Sequence, residues 1–190
     1  MSSLYLLALL PPPHLSEEIH QIRLECAEKF DVHKALRPPV HITLYRPFRA
    51  EESFEKQLIS FLNSGTAHIP HFTQKLENFG SFSNQVVFID ALKTPELVSL
   101  HKAIISIFKK NHIDRQDEKQ TSHAFSPHIT IAYRDVLPDV FPKIWLEYKD
   151  QKFKRSFHAD HFTLLKHDKV KWNAIKDFTL GSSDDQPSLV

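Results

Sequence analysis

The tetrapeptide His41-Ile42-Thr43-Leu44 returns in the second half of the chain as His128-Ile129-Thr130-Ile131. Side chains alternate faces along a strand, so each copy puts a histidine and a threonine on one side and two aliphatic residues on the other. The aliphatic side binds the strand to a core. The polar side presents an imidazole and a hydroxyl together. Two such strands side by side would offer two imidazoles to one small substrate, and a fold has to be found that brings them together.

The composition gives the repeat its weight. Thirteen histidines in 190 residues predict about half a His-x-Thr triplet by chance, and four occur. The other two are His71-Phe72-Thr73, followed by Gln74, and His161-Phe162-Thr163, followed by Leu164. Context separates the central pair from these. Both members have a proline within the two preceding residues (Pro39, Pro127) and both run on into a tyrosine and an arginine (Tyr45-Arg46, Tyr133-Arg134).

The chain is long enough for one domain with a real core. A formal net charge of +1 advertises no duplex nucleic acid, and a small or single-stranded substrate needs no such field. Three glycines in the whole sequence exclude a Gly-rich phosphate loop and a dinucleotide fingerprint. Cys26 is the single cysteine and can form no internal disulfide, in keeping with a reducing, cytoplasmic setting. Leu4 to Leu10 is apolar but too short for a membrane span, without the basic leader of a signal peptide. It reads as a buried strand.

Taken in order, residues 3–9 predict a strand stopped by Pro11-Pro12-Pro13. A helix follows to about Phe30, with Ser16 as its cap and Leu15, Ile19, Ile22, Cys26 and Phe30 as its apolar stripe. The first motif strand spans Val40–Arg46 and a second helix Glu51–Leu62. Strands at 71–80 and 85–91 are joined near Ser81–Asn84. Thr94-Pro95 opens a third helix, proline at its first position. Asn111 to Ser126 is polar and aperiodic and predicts a mobile loop, leading into the second motif strand at 128–134. A short helix at 138–145 and strands at 153–158, 160–167 and 172–180 complete a single domain over 1–180, with 181–190 as a poorly ordered polar tail. Strands and helices without strict alternation argue for α+β. The motifs lie too far apart for a solenoid; a two-lobed, pseudo-symmetric domain fits better.

Two imidazoles permit concerted proton transfer at phosphorus: one accepts a proton from the attacking oxygen while the other donates to the leaving oxygen. A hydroxyl beside each can donate to the non-bridging oxygens as charge develops there. Neither a metal nor a nucleoside triphosphate is required, and nothing in the sequence distinguishes base from acid.

Pro39-Val40-His41-Ile42-Thr43-Leu44 and Ser126-Pro127-His128-Ile129-Thr130-Ile131 resemble the paired signature of the two-histidine phosphoesterase superfamily, the LigT-like or 2′-5′ RNA ligase group. The resemblance extends over nearly the whole domain, including the Phe82 to Asp90 segment and the closing Trp172 to Leu180 strand. It implies a bilobal α+β domain, with antiparallel sheets facing a central cleft and helices outside. It implies hydrolysis or reversible transfer at cyclic or 2′-5′ phosphodiesters of RNA ends or nucleotide derivatives by a monomer, without a cofactor or membrane. His41, Thr43, His128 and Thr130 are then the site.

Parity ranks the neighbours. Tyr45 and Arg134 each lie an even number of residues from their histidine and face the cleft on a regular strand, whereas Arg46 and Tyr133 do not. A bulge inverts that order. Arg134 would grip phosphate, Tyr45 would stack or donate, and Phe82, near a hairpin tip, would be a stacking platform for a base. Two other classes compete. A metal protein would draw on His68/His71 and His158/His161, though residues three apart on a strand face opposite sides. A non-catalytic RNA- or nucleotide-binding module would use the same cleft without turnover.

Overall fold

The computed structural model describes residues 1–114 and 125–181. Eight strands and four helices follow in the order β1 (Ser2–Leu9), α1 (Pro13–Phe30), β2 (Ile42–Glu51), α2 (Glu55–Thr66), β3 (Phe72–Phe82), β4 (Val86–Ala91), α3 (Pro95–Lys110), β5 (His128–Ala132), α4 (Phe141–Tyr148), β6 (Lys154–Ala159), β7 (His161–His167) and β8 (Trp172–Thr179). Most of the polar 111–126 segment and all but the first residue of the 181–190 tail lie outside the described residues. Gly181 itself bridges to Pro70. No helix among the described residues is long and apolar enough to cross a membrane.

Local chemistry accounts for the boundaries. Pro13 occupies the first turn of α1, where its missing N–H would have had no partner. Ser16 therefore lies inside the helix rather than capping it, its hydroxyl donating to the Pro11 carbonyl at 2.8 Å. Thr94 does cap α3, accepting from the Leu97 N–H at 3.2 Å. Strand β2 runs past the sequence expectation to Glu51 because β1 offers pairing along its whole length, from Leu9 opposite Ile42 to Ser2 opposite Glu51. Strand β5 is shorter than expected and ends at Ala132.

The strands form two antiparallel sheets, β2-β1-β7-β8 and β5-β4-β3-β6. Each motif strand is an edge strand, laid beside the strand that precedes it by one helix. The α+β architecture with two facing sheets matches the expectation from sequence.

The helices cross over. Helix α1 leaves the first sheet and packs against β5 of the second, while α3 leaves the second and packs against β2 of the first. Helices α4 and α2 extend the two layers, against β4 and β8 respectively. The apolar undersides of both sheets consequently join one continuous buried cluster, from Leu7 and Ile42 through Leu100 and Ile104 to Ile129 and Ile144. Strands β2 and β5 meet along their outer edges, which brings the two motifs into one cleft.

Aromatic rings lock α3 under β2. The Phe108 ring stacks on Tyr45 at 3.8 Å and meets Phe48 edge-on at 4.9 Å. Replacing Phe108 with alanine is expected to cost about 3–5 kcal/mol of unfolding free energy, measured by urea denaturation.

Candidate active site

The aliphatic residues of the two motifs do what the alternation requires. Ile42, Leu44, Ile129 and Ile131 are all buried, and His41, Thr43, His128 and Thr130 are half-buried on the opposite faces. His41 stands one residue ahead of β2 and His128 opens β5. Each imidazole makes the same local bond: His41 Nδ1 to the Pro39 carbonyl and His128 Nδ1 to the Ser126 carbonyl, both at 2.7 Å. A carbonyl only accepts, so Nδ1 carries a hydrogen in both rings, which leaves Nε2 as the nitrogen that can take up or give a proton.

The surroundings of the two rings differ. Burial pushes His41 down to about 4; the Pro39 carbonyl opposes this, and the Arg23 guanidinium and His128 add to it. Burial also lowers His128, but there the Ser126 carbonyl and the Asp90 carboxylate pull the other way. Asp90 sits directly across the β4–β5 ladder from His128, and Phe88 directly across from Thr130. The Phe82 ring stacks on Phe88 at 4.2 Å, and both rings lie 5.0 Å from the His128 ring. Gly80 makes room for this arrangement, since a Cβ there would stand 2.6 Å from the Phe88 ring. An open hollow of about 460 Å³ lies along the sheet at Phe88 and Asp90, the ring and ladder neighbours of His128, lined also by Asn78, Gly80 and Ser81 among others.

Of the residues singled out from sequence, the structure brings His41, Thr43, His128, Thr130 and Phe82 to this cleft. Tyr45 is a correction. Between Thr43, opposite Ala8, and Tyr45, opposite Leu7, the ladder slips by one residue. That bulge reverses the parity and turns the tyrosine into the core, 3 % exposed and stacked on Phe108. Arg46 then takes the outward side and pairs with Asp114 at 2.9 Å. The parity argument for Arg134 also lapses, because β5 has already ended. Arg134 adopts a left-handed conformation (φ 67°), and its exposed guanidinium lies over the Tyr133 ring at 5.1 Å. His71 and His158 approach each other, with ring centroids 4.7 Å apart, but no group of three or more His, Cys, Asp or Glu suited to a metal occurs among the described residues.

Arg23 was missed. It projects from α1, only 1 % exposed. Its Nε donates to the Thr130 carbonyl at 2.8 Å and its Nη1 to the Pro38 carbonyl at 3.2 Å. One guanidinium thus ties the approach to the first motif to the strand of the second. Its Nη2 is buried and finds no partner among the described residues. Burial lowers the group to about 10, which leaves it cationic at neutral pH. The signal was there: Arg23 follows Ile19 by one helical turn, so a charge occupies the apolar stripe of α1.

Two antiparallel sheets that carry a histidine–threonine strand at each facing edge define a two-histidine phosphoesterase fold. The chain belongs to the 2′-5′ RNA ligase superfamily, whose model matches residues 11–171. Two Bacillus proteins named "putative phosphoesterase" are similar to it. One, from B. licheniformis, is 27% identical over 172 residues, covering 88% of this chain and 95% of that protein. The other, from B. cytotoxicus, is 30% identical over 159 residues, covering 81% and 86%. Among solved structures, E. coli LigT complexed with 3′-AMP superposes with a TM-score of 0.64 at 19% identity, covering 95% of this chain and 99% of that one. A Thermus thermophilus protein gives 0.68 at 18% identity, with the same coverage. At those identities the structural likeness speaks for the fold.

Replacing Arg23 with methionine strands two buried carbonyls and removes a cation beside His41. Expected are a loss of about 1–3 kcal/mol in stability by urea denaturation and a rise in the His41 pKa, read by NMR titration of the imidazole.

Proposed function

We propose that this chain is a metal-independent phosphodiesterase acting on cyclic or 2′-5′ phosphodiesters of RNA ends or nucleotide derivatives. The observation that carries the reading is the matched pair of imidazoles on two touching strands, each with Nδ1 tied to the carbonyl two residues before it and near enough for His128 to act on the charge of His41. The nucleotide ligand class draws support from E. coli LigT, which has been crystallised with 3′-AMP and with phosphate.

The environments of the rings support one division of roles. His41, beside the Arg23 cation, is the neutral base: its Nε2 takes the proton of the attacking hydroxyl or water as the new O–P bond forms. His128, beside the Asp90 carboxylate, is the acid: its Nε2–H passes to the leaving oxygen as the old O–P bond breaks. In the reverse direction the two exchange roles, so a site that cleaves a 2′-5′ linkage to a cyclic phosphate and a free hydroxyl can also rejoin the two; hydrolysis uses the same groups with water as the attacking oxygen. Thr43 and Thr130 donate to the non-bridging oxygens, where two hydrogen bonds aimed at developing charge are worth most. Phe82 offers a ring beside the phosphate for a base to stack on, and Arg134 stands at the rim as a cation for substrate phosphate. Tyr45 has no part, being sealed in the core.

Changing either His41 or His128 to alanine is expected to lower kcat on a 2′,3′-cyclic or 2′-5′ phosphodiester by more than about 10²; wild-type turnover in the double variant would refute the reading. Treatment with EDTA is expected to leave the rate unchanged. The pH dependence of kcat/KM has a definite sign. His41 must be deprotonated, so the rate climbs through its pKa of about 4. His128 must be protonated, and its pKa is lowered, so the rate falls again on the acid side of its ordinary value of about 6.5. A bell with its maximum below pH 6.5 is expected, losing its rising limb in His41→Ala and its falling limb in His128→Ala.

A further inference from the structure

Two His-x-Thr triplets remain once the central pair has a role, and the sheet register tells them apart. His71 belongs to the far side of the second sheet, its ring against His158 on β6. His161 is different. Strands β2 and β7 both run antiparallel to β1, and Thr43 and Thr163 both stand opposite Ala8. The two triplets are therefore parallel and level, two strand spacings or about 10 Å apart. Directly opposed residues share a face, so Thr43, Ala8 and Thr163 form one row. The β1–β2 ladder ends at Leu9–Ile42 and the β1–β7 ladder at Ala8–Thr163; continued past those ends, the same alternation aligns His41, Leu10 and His161 in a second row. Leu6, Ala8 and Leu165 close the floor beside these rows, flanked by Leu10 and Trp172.

The second sheet carries the matching step. There the same two-strand step from Thr130 passes Phe88 and ends on Gly80, and this is the hollow beside His128. The two shelves differ: the one beside His128 is an open hollow with aromatic and acidic walls, whereas beside His41 the floor of Leu6, Ala8, Thr163 and Leu165 is sealed and the accessible groups are Leu10 and His161. A cyclic phosphate carries one nucleoside and occupies one shelf. A phosphodiester joining two nucleosides carries one on either side of phosphorus.

His161 is equipped to bind rather than to react. Its Nδ1 bonds the Asp160 carboxylate at 2.5 Å, which fixes the ring and turns Nε2 outward, and its side chain is 44 % exposed. Thr163 is fully buried and gives its hydroxyl to Asp177 at 2.6 Å, so this triplet offers no hydroxyl to phosphate and is not a third catalytic unit. Resting on the phosphodiesterase reading, we propose that Leu10 and His161, above a sealed apolar floor, form a subsite for the second nucleoside of a dinucleoside phosphodiester, with the His161 Nε2 hydrogen-bonded to its ribose or base.

The test compares adenosine 2′,3′-cyclic phosphate with 2′-5′-linked ApA, using the full chain and its His161→Ala and His161→Gln variants. His161→Ala is expected to raise KM for ApA about 5–10-fold, the scale of one lost hydrogen bond. Its kcat should stay within about twofold, the cyclic nucleotide should be unaffected, and glutamine, whose amide offers both an acceptor and a donor, should recover most of the loss. Unchanged KM for ApA, or an equal change for both substrates, overturns the subsite. Turnover of neither substrate sinks the phosphodiesterase reading instead. Calorimetry then still decides the subsite: ApA binding no tighter than 3′-AMP, or equally tight to wild type and His161→Ala, overturns it, and weaker binding of ApA alone to the variant supports it.

Discussion

Register at two sheet edges is the constraint on which this molecule depends. A slip of one residue in β2 or β5 would drive a histidine into the core and bring an isoleucine out to the cleft, because the pleat has a period of two. Four fully sunk aliphatic side chains, Ile42, Leu44, Ile129 and Ile131, make that slip costly. The imidazoles are placed by the burial of their neighbours. Edge strands usually invite unwanted pairing; here the two edges approach each other without joining into one sheet, and the vulnerable place in the fold has become the candidate site.

Chemically, near-identical backbones hold the two rings, and unlike neighbours divide them. The i−2 carbonyl bond gives both rings one tautomer. Arg23 on one side and Asp90 on the other then bias them toward opposite protonation states. The cation is expensive to keep, since Nη2 is buried and unmatched among the described residues. A buried charge is retained against its desolvation cost when it fixes geometry that apolar packing cannot, and Arg23 holds carbonyls from both motifs at once.

Much of this was legible in the amino-acid order, and the misses share a physical origin. Alternation around His41 and His128 sufficed to place their side chains, because a half-buried strand leaves the pattern no freedom. The Thr94-Pro95 start of α3 was legible because both residues act locally. Tyr45 was misplaced because a one-residue bulge opposite Leu7 and Ala8 leaves no mark in the sequence of either strand. Arg134 was misjudged because nothing in 128–134 announces that the ladder stops at Ala132. Ser16 was taken for a cap although Pro13 can begin a helix by itself. Arg23 could have been found, since a charge on an apolar stripe calls for a partner, but the partners are main-chain carbonyls remote in sequence and carry no signature. The difference between the two imidazoles was likewise beyond reach, because Asp90 and Arg23 meet them only through the tertiary fold.

The exchange of helices between the sheets has a mechanical consequence. In a bilobal protein whose halves are joined by a flexible strap, the jaws can swing, and the gap adjusts to whatever enters. Here α1 begins in one half and is rooted beneath the other, and α3 does the converse, as two hands grip each other's wrists. Pulling the halves apart would tear a shared interior rather than bend a joint. The gap between the two imidazoles is consequently a fixed gauge, and substrates of different size must be accommodated by what lies along the shelves on either side of it.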